Sequence, residues 1–218
     1  MSQKTNIPIF IVGESGTGKS TGIRTLNPKT TLIINTEDKR APFEGDEHFK
    51  IVNTMNLTDL MKVLRKLEGK NDIKIVVIDS FTSMVESISR SVYKNFAGWD
   101  RFSELGARVG MLLRAIKKLE QQVIVIGIPE IKKNDPDEKQ YIRMKGEMRY
   151  GEIEKEFTIV MFTSPIWNEE TDEMDDVEMM VKPNRTTTTK TPMGMFKKRP
   201  RNDYAAIIKQ VHGYYKIK

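Results

Sequence analysis

Apolar residues fall along this chain in short runs separated by stretches of helical periodicity. Residues 7–12, 31–35, 73–79 and 122–128 are the clearest runs, and 49–53 is a weaker one. Runs this short and this apolar suit strands, the one at 73–79 buried on both faces. Between them, Leu57, Leu60, Met61, Leu64 and Leu67 share one face of a helix over 57–67. Phe102, Leu105, Val109, Leu112, Leu113, Ile116 and Leu119 do the same over roughly 101–120. Gly106 and Gly110 each weaken that helix by about 1 kcal/mol relative to Ala, which suits close packing against a neighbour. Alternation of strand and helix predicts a mostly parallel sheet covered by helices.

Beyond Ile128 the texture changes. Residues 131–150 are polar and basic and too long for an ordinary connection, so a mobile or functional loop is expected. Residues 157–166 and 177–183 read as two antiparallel strands, with the turn in Asn168-Glu169-Glu170-Thr171-Asp172-Glu173. Seven of the ten residues from 169 to 178 are acidic, without the spacing of a calcium loop, so a solvated hairpin tip is the better reading. The threonine-rich stretch 185–190 suits a further strand, and Asp203 can cap a last helix through Val211. The expected organisation is one domain: a core over 1–130, the basic loop over 131–150, and a hairpin with a basic tail over 151–218. No internal repeat is evident.

A chain of 218 residues with 38% hydrophobic positions can bury the core of one α/β domain. It holds no cysteine, which removes disulfides and thiolate metal sites and makes a reducing compartment the default. With only His48 and His212, a histidine-based metal site has too few ligands. No run of 18 apolar residues exists, and the first residues lack the apolar stretch of a secretion signal, so a cytoplasmic protein is expected. The net charge of +6 is unevenly placed. Residues 182–218 carry ten Lys or Arg and one acid, whereas the first 181 carry 26 basic and 29 acidic residues. A basic tail of this kind can meet a phosphate backbone or simply a solvated face.

Chemistry enters at Gly13-Glu14-Ser15-Gly16-Thr17-Gly18-Lys19-Ser20-Thr21, which contains a complete G-x-x-x-x-G-K-[ST] pattern. A strand precedes it, and residues 19–26 can open a helix. A strand ending in a glycine loop before a helix aims several backbone N–H groups and a positive helix end at one point. Lys19 then reaches the outer phosphates of a nucleoside triphosphate, and the Ser20 hydroxyl takes a Mg²⁺ position. The run Ile75-Val76-Val77-Ile78-Asp79-Ser80 ends in a carboxylate where open α/β folds hold ligands. A strand-ending Asp often only starts a turn; downstream of a phosphate loop, Asp79 is better read as part of the Mg²⁺ shell. Hydrolysis also needs a group that orients water, and Glu37, with Asp38 as fallback, ends the strand over 31–35.

These motifs resemble the nucleotide-binding core of the RecA recombinase superfamily, and in particular small single-domain RecA-like ATPases of bacteriophages, including single-strand annealing proteins. The resemblance rests on the Gly13 to Ser20 loop, Thr36-Glu37 and Asp79-Ser80, with Trp99 opening a long helix and Lys190 following a basic strand. It implies an α/β P-loop NTPase fold, a RecA-like core with a mostly parallel central sheet flanked by helices and a C-terminal antiparallel β extension. It also implies ATP and Mg²⁺ as cofactors, Glu37 as water activator, and a homo-oligomer in which Lys190, with Arg185, reaches a neighbour's γ-phosphate. One departure is Gly127-Ile128-Pro129-Glu130, where relatives carry a polar sensor and this chain offers only Glu130.

The same resemblance places two segments against single-stranded DNA. The first, 90–102, holds Arg90, Tyr93, Lys94, Phe96, Trp99 and Arg101, a mixture of rings for stacking and cations for the backbone. Trp99 is better read as a core anchor of its helix. The second, 131–150, supplies Lys132, Lys133, Lys139, Tyr141, Arg143, Lys145 and Arg149. The function expected is ATP hydrolysis coupled to single-stranded DNA in phage-type recombination or annealing. Two other readings stay open: a nucleotide or metabolite kinase, and an ATP-gated assembly or packaging factor that needs binding rather than turnover.

Overall fold

The computed structural model describes residues 6–131, 136–143 and 152–217. Its strands are β1 (Ile9–Val12), β2 (Thr31–Asn35), β3 (Lys50–Asn53), β4 (Ile75–Asp79), β5 (Gln122–Gly127), β6 (Pro129–Ile131), β7 (Gln140–Ile142), β8 (Ile159–Trp167) and β9 (Met174–Met180). Its helices are α1 (Leu57–Lys66), α2 (Phe81–Asn95), α3 (Asp100–Lys118) and α4 (Tyr204–Tyr215). Seven strands form one sheet in the order β3-β2-β4-β5-β1-β8-β9, parallel except for β9, while β6 and β7 pair separately. This is an α/β core, a mostly parallel central sheet flanked by helices, with an antiparallel extension formed by β8 and β9.

Strict alternation inside the strands builds two cores. Val76 and Ile78 of β4, with Phe10, Val12, Val123 and Val125, face α1, α2 and α3. Val77, Ile9, Ile11, Ile124 and Ile126 face the opposite side, where Tyr204, Ile207, Ile208 and Val211 of α4 cover them. Burying one such aliphatic side chain contributes about 1.5–3 kcal/mol, so both faces hold the sheet against the entropy of its chain. Asn56 caps α1 through Asp59 N–H, Ser80 caps α2 through Ser83 N–H, and Asp203 caps α4 through Ala206 N–H.

Four expectations are corrected. The helix over 19–26 is only a 3₁₀ turn at Thr21–Thr25. Its backbone bonds run from residue i to i+3, Thr21 N–H to Gly18 O at 3.1 Å and Ile23 N–H to Ser20 O at 3.2 Å, and Pro28 disfavours helical Asn27 beyond it. Residues 90–95 belong to α2 and not to a loop. The stretch 185–190 makes isolated pairings, Gln140 with Thr187 and Val160 with Lys190, because Asn184 Oδ1 turns the chain by accepting Thr186 and Thr187 N–H. The loop over 131–150 contains β7, although residues 132–135 and 144–151 lie outside the described residues.

Register brings the functional strand ends together. Asn35 is level with Asp79, Asp79 with Ile126, and Val12 with Gly127, so β1, β2, β4 and β5 end in one row. α2 starts at that row. α3 has 19 residues, about 28 Å, and ends three residues before β5, whose six residues span about 20 Å. α3 is thus longer than the strand it precedes, and it packs against α2.

Candidate functional site

The loop after β1 lines a cleft of about 320 Å³ together with Glu37, Lys39, Arg40 and Asp79. Gly16 and Gly18 have φ of 83° and 78°, in the left-handed region that side-chain-bearing residues resist. Gly13 N–H donates to Gly127 O at 3.2 Å, tying the loop to the end of β5. Lys19 Nζ donates to Glu14 O at 3.1 Å. Burial lowers its ammonium below the ordinary value, while Asp79 and Glu37 oppose that shift. A cation partly stripped of water and flanked by two carboxylates can exchange them for a triphosphate.

Asp79 and Ser20 line the same cleft. Burial pushes the Asp79 carboxyl up; the Ser20 hydroxyl opposes this, the charge of Glu37 adds to it, and Lys19 opposes it. A half-buried carboxylate beside one hydroxyl fits Mg²⁺, which takes one or two protein oxygens and fills its shell with water and substrate phosphate. Among the described residues no cluster of three or more acidic or histidine side chains forms an all-protein metal site. The Asp79–Ser80 peptide is cis.

Glu37 sits across the cleft, fixed at both oxygens. Oε1 accepts from the Ser83 hydroxyl at 2.7 Å and the Ser80 hydroxyl at 2.9 Å, and Oε2 pairs with Lys39 Nζ at 3.2 Å. Burial pushes the carboxyl up, but Ser83, Ser80 and Lys39 outweigh that and hold it below the usual range. Asp38, by contrast, is exposed and accepts from Asn53 Nδ2 at 3.2 Å. Thr36 Oγ1 bridges the two strand ends, donating to Ser80 O at 2.6 Å and accepting Ser80 N–H at 2.9 Å.

The other candidates lie elsewhere. Lys190 does not line the cleft; its backbone pairs with Val160, and burial lowers its ammonium while Glu154 and Glu156 oppose. Phe96 is half-buried against the core with Arg108 over its ring, and Arg143 lies 4.0 Å from Glu86. Tyr93 is 41% exposed under Arg101. Trp99 is not a core anchor: it is 79% exposed at the turn before α3, where its ring leans on Phe102. Lys132, Lys133, Lys145 and Arg149 lie outside the described residues.

Several residues at the site carry no mark in the sequence. Thr163 of β8 shares a 2.7 Å hydrogen bond with Thr17. Asn202 Nδ2 donates to Gly18 O at 2.6 Å, and the Tyr204 hydroxyl donates to Lys19 O. These contacts join residues up to 185 positions apart, and no local pattern announces them. Ser83 is different: Ser80-x-x-Ser83 is a readable helix start.

Fold and cleft together define a P-loop nucleotide-binding domain. The AAA domain family matches residues 5–199, and the chain belongs to that family. No curated protein matches the sequence. Among solved structures, the crystal structure of the RadB recombinase is similar at 14% identity and a TM-score of 0.48, over 81% of this chain and 87% of that one. Among the described residues no helix is long and apolar enough to cross a membrane.

Proposed function

We propose that this protein is a Mg²⁺-dependent ATPase of the RecA-like type that works as a homo-oligomer on single-stranded DNA, in phage-type recombination or annealing. The observation that carries the ATPase reading is Glu37: an ionised carboxylate, oriented by two hydroxyls, opposite Lys19 and the Ser20–Asp79 pair in one cleft. Residues Gly13 to Thr21 cradle the phosphates through backbone N–H groups, and Lys19 neutralises the outermost charge. Ser20 and Asp79 would hold Mg²⁺, which supplies electrostatic stabilisation of the phosphate oxygens. Glu37 accepts a proton from the attacking water as the γ-phosphorus–oxygen bond to the diphosphate breaks. A kinase would use such a carboxylate on an acceptor hydroxyl instead of water, so turnover without an acceptor separates the two readings.

The DNA reading rests on Trp99 and Tyr93, exposed beside Arg101 around the turn between α2 and α3. Bases stack on such rings at about 1–3 kcal/mol each. The basic positions Lys132, Lys133, Arg143, Lys145 and Arg149 would follow the backbone. Lys190 would act on a neighbour's nucleotide after leaving Glu154 and Glu156. ATP turnover measured with and without single-stranded DNA tests this reading. Turnover without an acceptor, raised by DNA, is the expected result. Binding without turnover would favour an assembly factor, and transfer only to an added acceptor would favour a kinase.

A further inference from the structure

Residues 18 and 19 are held from behind by the far end of the chain. Asn202 Nδ2 donates to Gly18 O at 2.6 Å, and the hydroxyl of the buried Tyr204 donates to Lys19 O. Neither Asn202 nor Tyr204 lines the cleft. Burial and the charge of Asp79 push the Tyr204 hydroxyl well above its ordinary value, so it remains a neutral donor.

A trans peptide points its C=O and its N–H in opposite directions. The Gly18 C=O and the Lys19 N–H belong to one peptide, and the Lys19 C=O and the Ser20 N–H to the next. Fixing both carbonyl oxygens on the far side therefore turns the Lys19 and Ser20 N–H groups toward the cleft. Nearby packing enforces the same arrangement. A methyl group at Gly22 would overlap Asn202 Oδ1 and the Tyr204 ring, and one at Gly18 would lie 2.8 Å from Val177 Cγ2. Asn202 and Tyr204 also flank Asp203, the cap of α4. One short turn thus fixes the helix and the loop together.

We infer that Asn202 and Tyr204 are positioning residues for phosphate binding, which aim the Lys19 and Ser20 N–H donors by holding the two carbonyls behind them. The inference rests on the reading that residues 13–20 bind the phosphates of a nucleotide. It differs from that reading in assigning part of the affinity to side chains that never touch the ligand. Thr21 N–H also donates to Gly18 O at 3.1 Å, so deleting the Asn202 bond loosens that peptide in part and should weaken binding by about threefold, whereas deleting the Tyr204 bond should weaken it by roughly threefold to tenfold. Backbone N–H groups of this loop cradle the α- and β-phosphates, so MgADP and MgATP should weaken by the same factor.

The test is calorimetric titration of MgATP and MgADP into the full chain and its variants, with thermal melts alongside. Tyr204→Phe keeps the ring that packs in the core and removes only the donor. It should weaken both nucleotides equally while changing the melting temperature little, and Asn202→Ala should do likewise. Asn202→Gln, which keeps an amide donor, should recover part of the affinity. A purely architectural role would lower the melting temperature and leave the affinity of the folded protein unchanged, and that result overturns the inference. If Tyr204→Phe does not fold, Asn202→Ala against Asn202→Gln decides the question in the same way. The outcomes also separate this inference from its premise. Absence of nucleotide binding by the unmodified chain would remove the phosphate reading itself. Normal binding by both the unmodified chain and the variants would remove only the role of Asn202 and Tyr204.

Discussion

The front and the back of the phosphate loop are built in different ways. On the front, Lys19, Ser20, Glu37 and Asp79 end three strands of the sheet or follow them directly, and parallel register alone brings them together. On the back, Thr163, Val177, Asn202 and Tyr204 come from the last third of the chain and reach the loop only after the whole sheet and α4 are in place. The chemistry is thus written in short motifs, and the shape that makes those motifs effective is supplied by long-range packing. A front substitution should change chemistry with little effect on folding. A back substitution should change both, or change binding through geometry alone.

The sharpest contrast comes from Lys19→Ala. Lys19 Nζ donates to a carbonyl of its own loop, and the cost of its burial is opposed by the charges of Asp79 and Glu37, so stability should change by no more than about 1 kcal/mol. Nucleotide affinity should fall by on the order of 10²-fold or more, since the loop backbone alone leaves the γ-phosphate charge uncompensated. A comparable loss of stability would break the division between front and back.

Gly18→Ala tests the junction of the two regions. An alanine at φ of 78°, with its Cβ 2.8 Å from Val177 Cγ2, should cost about 1–3 kcal/mol of stability and weaken nucleotide as well. Chemical denaturation and titration measure the two losses. If Val177→Ala added to Gly18→Ala restores stability but not affinity, strain at φ and contact at Val177 are separated.

Ser83→Ala sharpens the account of Glu37 within the front. It removes one of two hydroxyl donors to Oε1, so the carboxyl should rise toward its ordinary value. The acid limb of the turnover profile should then move to higher pH, and kcat should fall roughly threefold to tenfold with unchanged affinity. An unmoved acid limb would mean that Glu37 is not the titrating base.

The smallest effect lies farthest from the cleft. His212 of α4 pairs with Gln122 Oε1 at 3.0 Å, and burial lowers its pKa below the ordinary 6.5. Between the lower native value and 6.5 the unfolded chain binds more protons than the native one, so stability rises with pH across that window. Below the native value both states are protonated and the loss stops growing. His212→Gln should flatten this slope in denaturation curves without altering nucleotide affinity.

Legibility in the sequence follows the same division. The sheet was readable because β4 and β5 are unbroken apolar runs, and the front of the cleft because the loop motif and the strand-ending Glu37 and Asp79 are local patterns. α2 was not read, although Phe81, Met84, Val85, Ile88 and Val92 have helical spacing, because its serines and lysine mask the stripe. The segment after the loop reads as a helix over 19–26, but its backbone bonds run from residue i to i+3 and leave only the 3₁₀ turn at Thr21–Thr25, which no local pattern distinguishes. Hydrophobicity alone places Trp99 in the core, but it sits at the exposed turn before α3 and leans on Phe102. Asn202 and Tyr204 were beyond reach, since only the folded chain brings them to Gly18 and Lys19.

The most direct test of the central claim compares the unmodified chain with Glu37→Gln for MgATP binding and for single-turnover ATP hydrolysis. Glutamine keeps the shape and can still accept the Ser80 and Ser83 hydrogen bonds, but it cannot take a proton from water. The account predicts equal binding and hydrolysis slower by roughly 10²-fold or more. Equal hydrolysis by the two proteins would contradict it.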